Sequence, residues 1–232
     1  MAIIKYIEPE EIKKALSILK PNNELFEVRI IGGKDVCSGY FNDADILIKE
    51  LNRVMGEGVN VYVTLHKLHS GCAARLQYNQ LINTSKVKTP TTSDRDIIAY
   101  KYIPIDLDPV RPAGISSTIE ELDEANELCK QIEAYMQAQG FCKHIRAFSG
   151  NGYHLLYPYE SNDTAAGLEE VKGYLNRLDE LFSNDACHVD TANCNPSRVF
   201  KLYGTLAQKG RNTEERPHRM SRILEVIDNE ED

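Results

Sequence analysis

The stretch Lys101-Tyr102-Ile103-Pro104-Ile105-Asp106-Leu107-Asp108-Pro109 organises the reading of the whole chain. In an extended strand alternate side chains share a face, so Ile103, Ile105 and Leu107 point into a core. Asp106 and Asp108 then stand together on the opposite side. Neighbouring carboxylates resist ionising together unless a cation lies between them, and hard divalent ions such as Mg²⁺ or Mn²⁺ prefer oxygen ligands. An Asp-Pro step also serves simply to end a strand and open a turn. These residues alone leave both readings open.

The frame around this strand is that of an ordinary globular protein. A chain of 232 residues, 42% hydrophobic and 27% charged, buries a substantial core and reads as one large or two interlocked α/β units. No apolar run approaches a membrane span or the core of a signal peptide, so a cytoplasmic protein without a membrane partner is expected. The six cysteines are scattered, without a CxxC pair or zinc-finger spacing, which fits reduced thiols. The net charge of −8 argues against a polyanion partner, but its distribution argues back. From Arg198 to Arg222 seven Lys or Arg face two Glu, a local balance of +5 that suggests a confined anion site.

In chain order the patterns predict a helix over Glu8 to Leu19, a strand from Leu25 to Ile31, and a helix capped by Asn42 or Asp43 and running to Met55. A strand from Val59 to Leu65 completes a β-α-β unit. The segment 66–97 is loop-like, and its His66 and His69 are read as exposed histidines. The organising strand, Ile97 to Asp108, contains Pro104, which donates no backbone hydrogen bond and places part of the strand at an edge or bulge. A helix capped by Ser117 or Thr118 ends at Gly140, and two strands, His144 to Phe148 and Tyr153 to Tyr159, form a hairpin. A helix over Thr164 to Phe182 and strands at Val199 to Leu202 and Ile223 to Ile227 finish the chain. The expected fold class is therefore α/β (α+β). A β-α-β unit in residues 1–97 packs on a split β-α-β unit in residues 98–232, with the order of RNA-recognition-motif domains.

Three further segments carry chemistry. In Ser149-Gly150-Asn151-Gly152-Tyr153-His154 the glycines let backbone amides approach a phosphate, and a hydroxyl and an imidazole stand beside them. A tight hairpin with a core histidine fits the same residues. Asp190 shortly precedes Asn195-Pro-Ser-Arg198 and Lys201, placing a third carboxylate beside two cations, or making an ordinary ion pair. The tract from Gly204 through Lys209 to Arg219 is dense in anion binders, or is a solvated basic hairpin.

In combination these elements resemble the archaeo-eukaryotic primase superfamily, and most closely the primase-polymerase domains of plasmids, phages and mobile elements. The resemblance spans Arg75 to Arg222 and rests on Asp106-Leu-Asp108-Pro-Val-Arg-Pro, Ser149-Gly-Asn-Gly-Tyr-His154, and Asp190 with Asn195-Pro-Ser-Arg198 and Lys201-Leu-Tyr-Gly-Thr205. It implies a two-metal site for Mg²⁺ or Mn²⁺ at Asp106, Asp108 and Asp190. It implies a triphosphate cradle of Ser149, Gly150, Asn151, Gly152, His154, Arg198 and Lys201. Arg75 and Asn79 would lie near sugar or template, and Arg216, His218 and Arg219 near triphosphate or template. The chain departs from the family's Ser-x-His form, since five positions separate Ser149 from His154. The implied activity is that of a DNA primase, a DNA polymerase or both, a template-dependent joining of NTPs or dNTPs on single-stranded DNA, with template and primer as partners and a helicase or accessory priming domain outside this chain. Two other classes suit the same residues: a metal-dependent nuclease or phosphodiesterase, and a non-catalytic nucleic-acid-binding module.

Overall fold

The computed structural model describes residues 4–32 and 35–228. Its first unit begins with α1 (Pro9–Leu19), which follows Glu8 and carries proline in its first turn, and continues into a hairpin of β1 (Phe26–Ile31) and β2 (Cys37–Phe41). Asp43 accepts a hydrogen bond from the Ile46 N–H and so starts α2 (Ala44–Val54), which leads to β3 (Asn60–Thr64). Both β2 and β3 pair antiparallel with β1 from its two sides. The expected β-α-β connection is therefore present, but it runs from β2 through α2 to β3, with β1 inserted between. The short strand β2 escaped the sequence pattern because its Gly39 and Ser38 look like turn residues. In the sheet Gly39 is required by close approach, since a Cβ there would lie 2.2 Å from the Gln80 carbonyl oxygen.

The segment expected as loop holds only short elements: β4 (Lys67–Leu68), β5 (Ile82–Asn83), α3 (Thr84–Val87) and single 3₁₀ turns. It delivers the chain to β6 (Ile97–Pro109), the long strand of the second unit. There α4 (Ile119–Ala138) starts at a capping box in which Thr118 and Glu121 each bond the other's backbone N–H. The hairpin of β7 (Lys143–Phe148) and β8 (Tyr153–Ser161) follows, then α5 (Thr164–Phe182), capped by Asp163, and β9 (Cys187–Val189). The spatial order β7-β8-β6-β9 is the split β-α-β order. Its last strand is this short β9.

The strand at 199–202 is present as β10 (Val199–Lys201), but it pairs with β3 and forms an edge of the first sheet, ordered β10-β3-β1-β2-β5. In return β4 pairs with β6. A two-residue ladder of β11 (Leu206–Ala207) and β12 (Arg219–Met220) and the edge strand β13 (Arg222–Asp228) complete the described chain.

The alternation along β6 separates two cores. Ile103, Ile105 and Leu107 are fully buried beneath α4 and α5, against Leu128, Ile132, Val171 and Leu175. Burying each such aliphatic side chain contributes about 1.5–3 kcal/mol. The other face packs Tyr102 and Leu156 against Leu19 of α1, Phe200 of β10 and Tyr203. Both faces of the second sheet are thus covered, and the first unit sits over the face that carries Asp106 and Asp108. Pro104 is accommodated as its chemistry requires. Beyond β8, β6 is paired only at its ends, by β4 near Ala99 and by β9 at 107–109. The Asp106 carbonyl faces that edge, where it accepts the Asp190 N–H at 3.0 Å. Residues two apart present their backbone to the same edge, so the missing Pro104 N–H falls in the unpaired interval.

His66 corrects the expectation of exposed histidines. It is 1% exposed, packs on the Tyr100 ring, and its Nδ1 accepts the Lys101 N–H at 3.1 Å. His69 is exposed, where it accepts the Gly71 N–H, so the two do not form a pair. Burial, reinforced by Lys20 and Lys101, pushes the His66 pKa down to about 3. The unfolded chain takes up this proton near pH 6.5 and the folded chain resists it, so the associated stability is whole above about pH 6.5 and is lost as pH falls. Unfolding free energies from urea titrations at pH 7.5 and 5.0 will fall toward the lower pH, with a slope of up to about 1.4 kcal/mol per pH unit from this group. His66→Asn, whose Oδ1 can accept the same N–H, will flatten that share of the slope.

Candidate active site

Between the two sheets lies a cavity of about 490 Å³. Its lower wall is the end of β6 with Asp106 and Asp108, the facing His154 of β8, and the hairpin residues Ser149 and Asn151. Its upper wall is the first sheet, where Arg29 of β1, Tyr62 of β3 and Lys201 of β10 are direct cross-strand neighbours in one row. Asp94, Asp190, Ser197 and Arg198 lie along its margin, and Lys209 closes one side.

Asp106 and His154 are opposite residues of the β6–β8 ladder, so their side chains meet on one face. The His154 Nε2 lies 3.4 Å from Asp106 Oδ1, and its Nδ1 is 2.8 Å from the hydroxyl of buried Tyr203. The imidazole is thereby held at both nitrogens. Burial pushes the Asp106 pKa up, but His154, Lys209 and Asn193 outweigh it and leave Asp106 below its ordinary value. Asp108 moves the other way, raised by burial and by the charge of Asp106. Adjacent carboxylates driven apart in this manner mark a pair that shares one field. Arg111 restrains Asp108 through Nη2 contacts of 2.9 and 3.3 Å, while donating to the Pro109 and Ile115 carbonyls. Lys209 Nζ is 4.0 Å from Asp108 Oδ2.

Asp190 reaches the same cavity because its N–H bonds the Asp106 carbonyl directly after β9. Its Oδ1 caps the following turn at the Ala192 N–H, and its Oδ2 receives Arg198 Nη2 at 3.2 Å. The three carboxylates therefore line one space, but Asp190 is turned toward Arg198. Among the described residues no cluster of three or more His, Cys, Asp or Glu is already set to hold a metal ion. The donor chemistry nonetheless suits a hard divalent cation: all three are oxygen donors, and the repulsion that raises Asp108 is what a cation between Asp106 and Asp108 would relieve.

On the upper wall Lys201 is buried, donates to the Leu206 carbonyl at 3.0 Å and lies 5.8 Å from the Tyr62 ring centroid. Burial, assisted by Lys209, lowers its pKa to about 7. Arg198 is half-exposed and bonds Asn193 as well as Asp190.

The hairpin glycines serve a different need from the one expected. Gly150 has φ +99°, and a Cβ on it would lie 2.3 Å from the Ala207 Cβ. A Cβ on Gly152 would lie 2.3 Å from the Leu107 carbonyl oxygen. Both let the turn lie flat on β11 and on the end of β6, and neither lines the cavity. Ser149 donates its hydroxyl to the Gly152 carbonyl, and Asn151 accepts the Ser117 N–H, fixing the turn to the segment before α4.

The remaining expected contacts do not line the cavity. Arg75 forms a two-armed ion pair with Asp96, and Asn79 holds a left-handed turn with φ 61°. Arg216 pairs with Glu121 and the Ser116 carbonyl, Arg219 donates to the Ser117 carbonyl, and the His218 Nε2 is 3.0 Å from the Gly210 carbonyl. The Arg216 and Arg219 donors brace the loop before α4. Conversely, Arg29, Tyr62, Arg111 and Tyr203 were given no role by sequence, whereas Lys209 came from the tract dense in anion binders. A signal existed for Arg29: with Glu27 it alternates with buried Val28 and Ile30, so both charges sit on the face opposite that core.

Because Gly152 meets backbone rather than a flexible side chain, Gly152→Ala will cost about 1–3 kcal/mol in urea denaturation. It will also displace the strand end bearing Asp108. Gly173→Ala, at a helical glycine with nothing near its would-be Cβ, will not destabilise.

No protein-family model matches the sequence, and comparison with curated proteins also finds no match. Among solved structures, the AEP domain of the cyanophage S-2L primase-polymerase is similar, with a TM-score of 0.55 and 16% identity over 96% of this chain and 92% of that one. The likeness extends over nearly the whole chain, and it agrees with the architecture expected from the motifs. The chain has the fold of a primase-polymerase AEP domain.

Proposed function

We propose that this chain is a template-dependent nucleotidyltransferase that joins NTPs or dNTPs to a primer on single-stranded DNA. The observation that carries the proposal is the juxtaposition of Asp106, Asp108 and His154 with Arg198, Lys201 and Lys209 around one cavity between the two sheets. Acidic and basic groups thus face one space from both of its walls, as this reaction needs. Asp106 and Asp108, completed by Asp190 once Arg198 releases it, would hold Mg²⁺ or Mn²⁺. When bound, such ions supply activation of a 3′-hydroxyl and charge stabilisation for leaving pyrophosphate.

The chain's own residues would bind and align the nucleotide. Lys201 and Lys209 would neutralise the polyphosphate, and Arg198 would join them as its carboxylate partner turns away. His154, anchored by Tyr203, would place a donor beside the phosphate nearest Asp106. Arg111 is too buried to meet substrate and would keep the Asp108 carboxylate aimed at the cavity. The binding-module reading is less well supported, since such modules stack bases on an exposed sheet face. Here that face lies under α1 and β10.

Asp106→Ala and Asp108→Ala will abolish primer extension on a single-stranded template while retaining the far-ultraviolet spectrum. They will also lose the calorimetric heat of Mn²⁺ binding. Extension at the normal rate by either folded variant, or shortening of labelled DNA by the wild type without nucleotides, will sink the assignment.

Lys201 supplies a pH test. With a pKa of about 7 it is charged below neutrality and discharged above, so nucleotide KM will rise between pH 6.5 and 8.5. Lys201→Arg stays charged and will show a flatter profile. An identical rise in both proteins removes Lys201 from the anion site.

A further inference from the structure

Glu27 is a fully buried carboxylate that lies outside the cavity lining. Its Oε2 accepts from Arg29 Nε at 3.0 Å, from Arg29 Nη2 at 2.8 Å and from the Thr92 N–H at 3.1 Å, while Oε1 accepts the Ser38 hydroxyl. The second Arg29 Nη2 donor goes to the Thr92 carbonyl at 2.7 Å. One edge of the guanidinium is thus fully engaged. Among the described residues its Nη1 donors have no hydrogen-bond partner, and Arg29 lines the cavity beside Tyr62.

A planar cation with one edge locked and the other unpaired is a preorganised donor for an acceptor entering the cavity. Burying a carboxylate for an ion pair alone is costly, because desolvation offsets the Coulombic gain. Serving a ligand gives that cost a return.

We infer that Glu27 is a positioning residue for substrate, and that it aims the Nη1 edge of Arg29 at an oxygen acceptor of the bound nucleotide. This rests on the nucleotidyltransferase reading above. The acceptor is a phosphate oxygen or an oxygen of the nucleoside, and two probes separate these sources.

The test is calorimetric titration of ATP, and separately of sodium tripolyphosphate, in Mn²⁺ into four proteins: wild type, Glu27→Gln, Arg29→Lys and the double variant. Glu27→Gln keeps the shape and loses the charge. Arg29→Lys keeps the ion pair and loses the second planar edge. Each single variant will weaken ATP binding about tenfold or more, the loss of a charge-assisted hydrogen bond. The double variant will be no weaker than Arg29→Lys, because Glu27 acts only through the guanidinium.

Loss toward both probes assigns a phosphate oxygen, and loss toward ATP alone assigns the nucleoside. A Glu27→Gln protein with a lowered melting temperature but unchanged ATP affinity makes Glu27 structural and overturns the inference. If Glu27→Gln does not fold, Arg29→Lys decides, and undiminished ATP affinity in it overturns the inference as well. Wild-type protein that binds neither ATP nor dATP removes the nucleotidyltransferase reading and this inference together, whereas nucleotide binding that ignores both residues removes only the inference.

Discussion

Two carboxylates on one strand face, two residues apart, repel each other, and the surroundings of Asp106 and Asp108 are arranged to sustain that repulsion. His154 faces the first across the ladder, while Arg111 and Lys209 flank the second. The second sheet cannot simply be closed by hydrophobic packing at this point, because burial alone already raises Asp108. The first unit therefore stands off here and leaves a cavity, although it packs tightly a few residues earlier along β6 around Tyr102 and Leu156. A charge conflict on one strand thus sets where the two sheets touch and where they part.

Each of the three aspartates around Asp106 also has a nitrogen partner: Asp106 has His154, Asp108 has Arg111 and Asp190 has Arg198. These pairs differ in how firmly they are made. Arg111 is 5% exposed and tied to two backbone carbonyls, so it cannot leave Asp108 without breaking both. Arg198 is half-exposed and its link to Asp190 is a single contact, an arrangement worth little in water. The fixed pair shapes the site and the loose pair can exchange partners. That is the division of labour expected where a carboxylate must pass from a protein cation to a bound one.

Much of this was legible in the sequence because it depends on period and local turn chemistry. The alternation of Ile103, Ile105 and Leu107 with the two aspartates survives folding unchanged, as do the Asp43 and Thr118 caps and the span Thr164–Phe182. What was hidden depends on register between distant strands. Arg29, Tyr62 and Lys201 become neighbours only through the pairing of β1, β3 and β10, and nothing in their spacing announces it. His66 was misjudged for a related reason: two residues of β4 suffice to fold it under Tyr100. The hairpin glycines also answer a steric need that their spacing does not announce, since Gly150 and Gly152 make room for backbone and Ala207.

The basic tract shows how far a count of charges can be carried. Of its seven cations, Arg198, Lys201 and Lys209 line the cavity, whereas Arg216 is consumed by Glu121 and the Ser116 carbonyl. Arg219 likewise turns its donors to the Ser117 and Pro217 carbonyls. The local excess of positive charge is thus divided among the cavity wall, internal bracing and the exposed Arg211 and Arg222. None of these builds a broad cationic surface, and the acidic remainder of the chain opposes one through the field of the whole molecule. Any nucleic acid held by a chain of net charge −8 would have to be held by short-range contacts. Long-range steering would work against it, most strongly at low ionic strength where the Debye length is greatest.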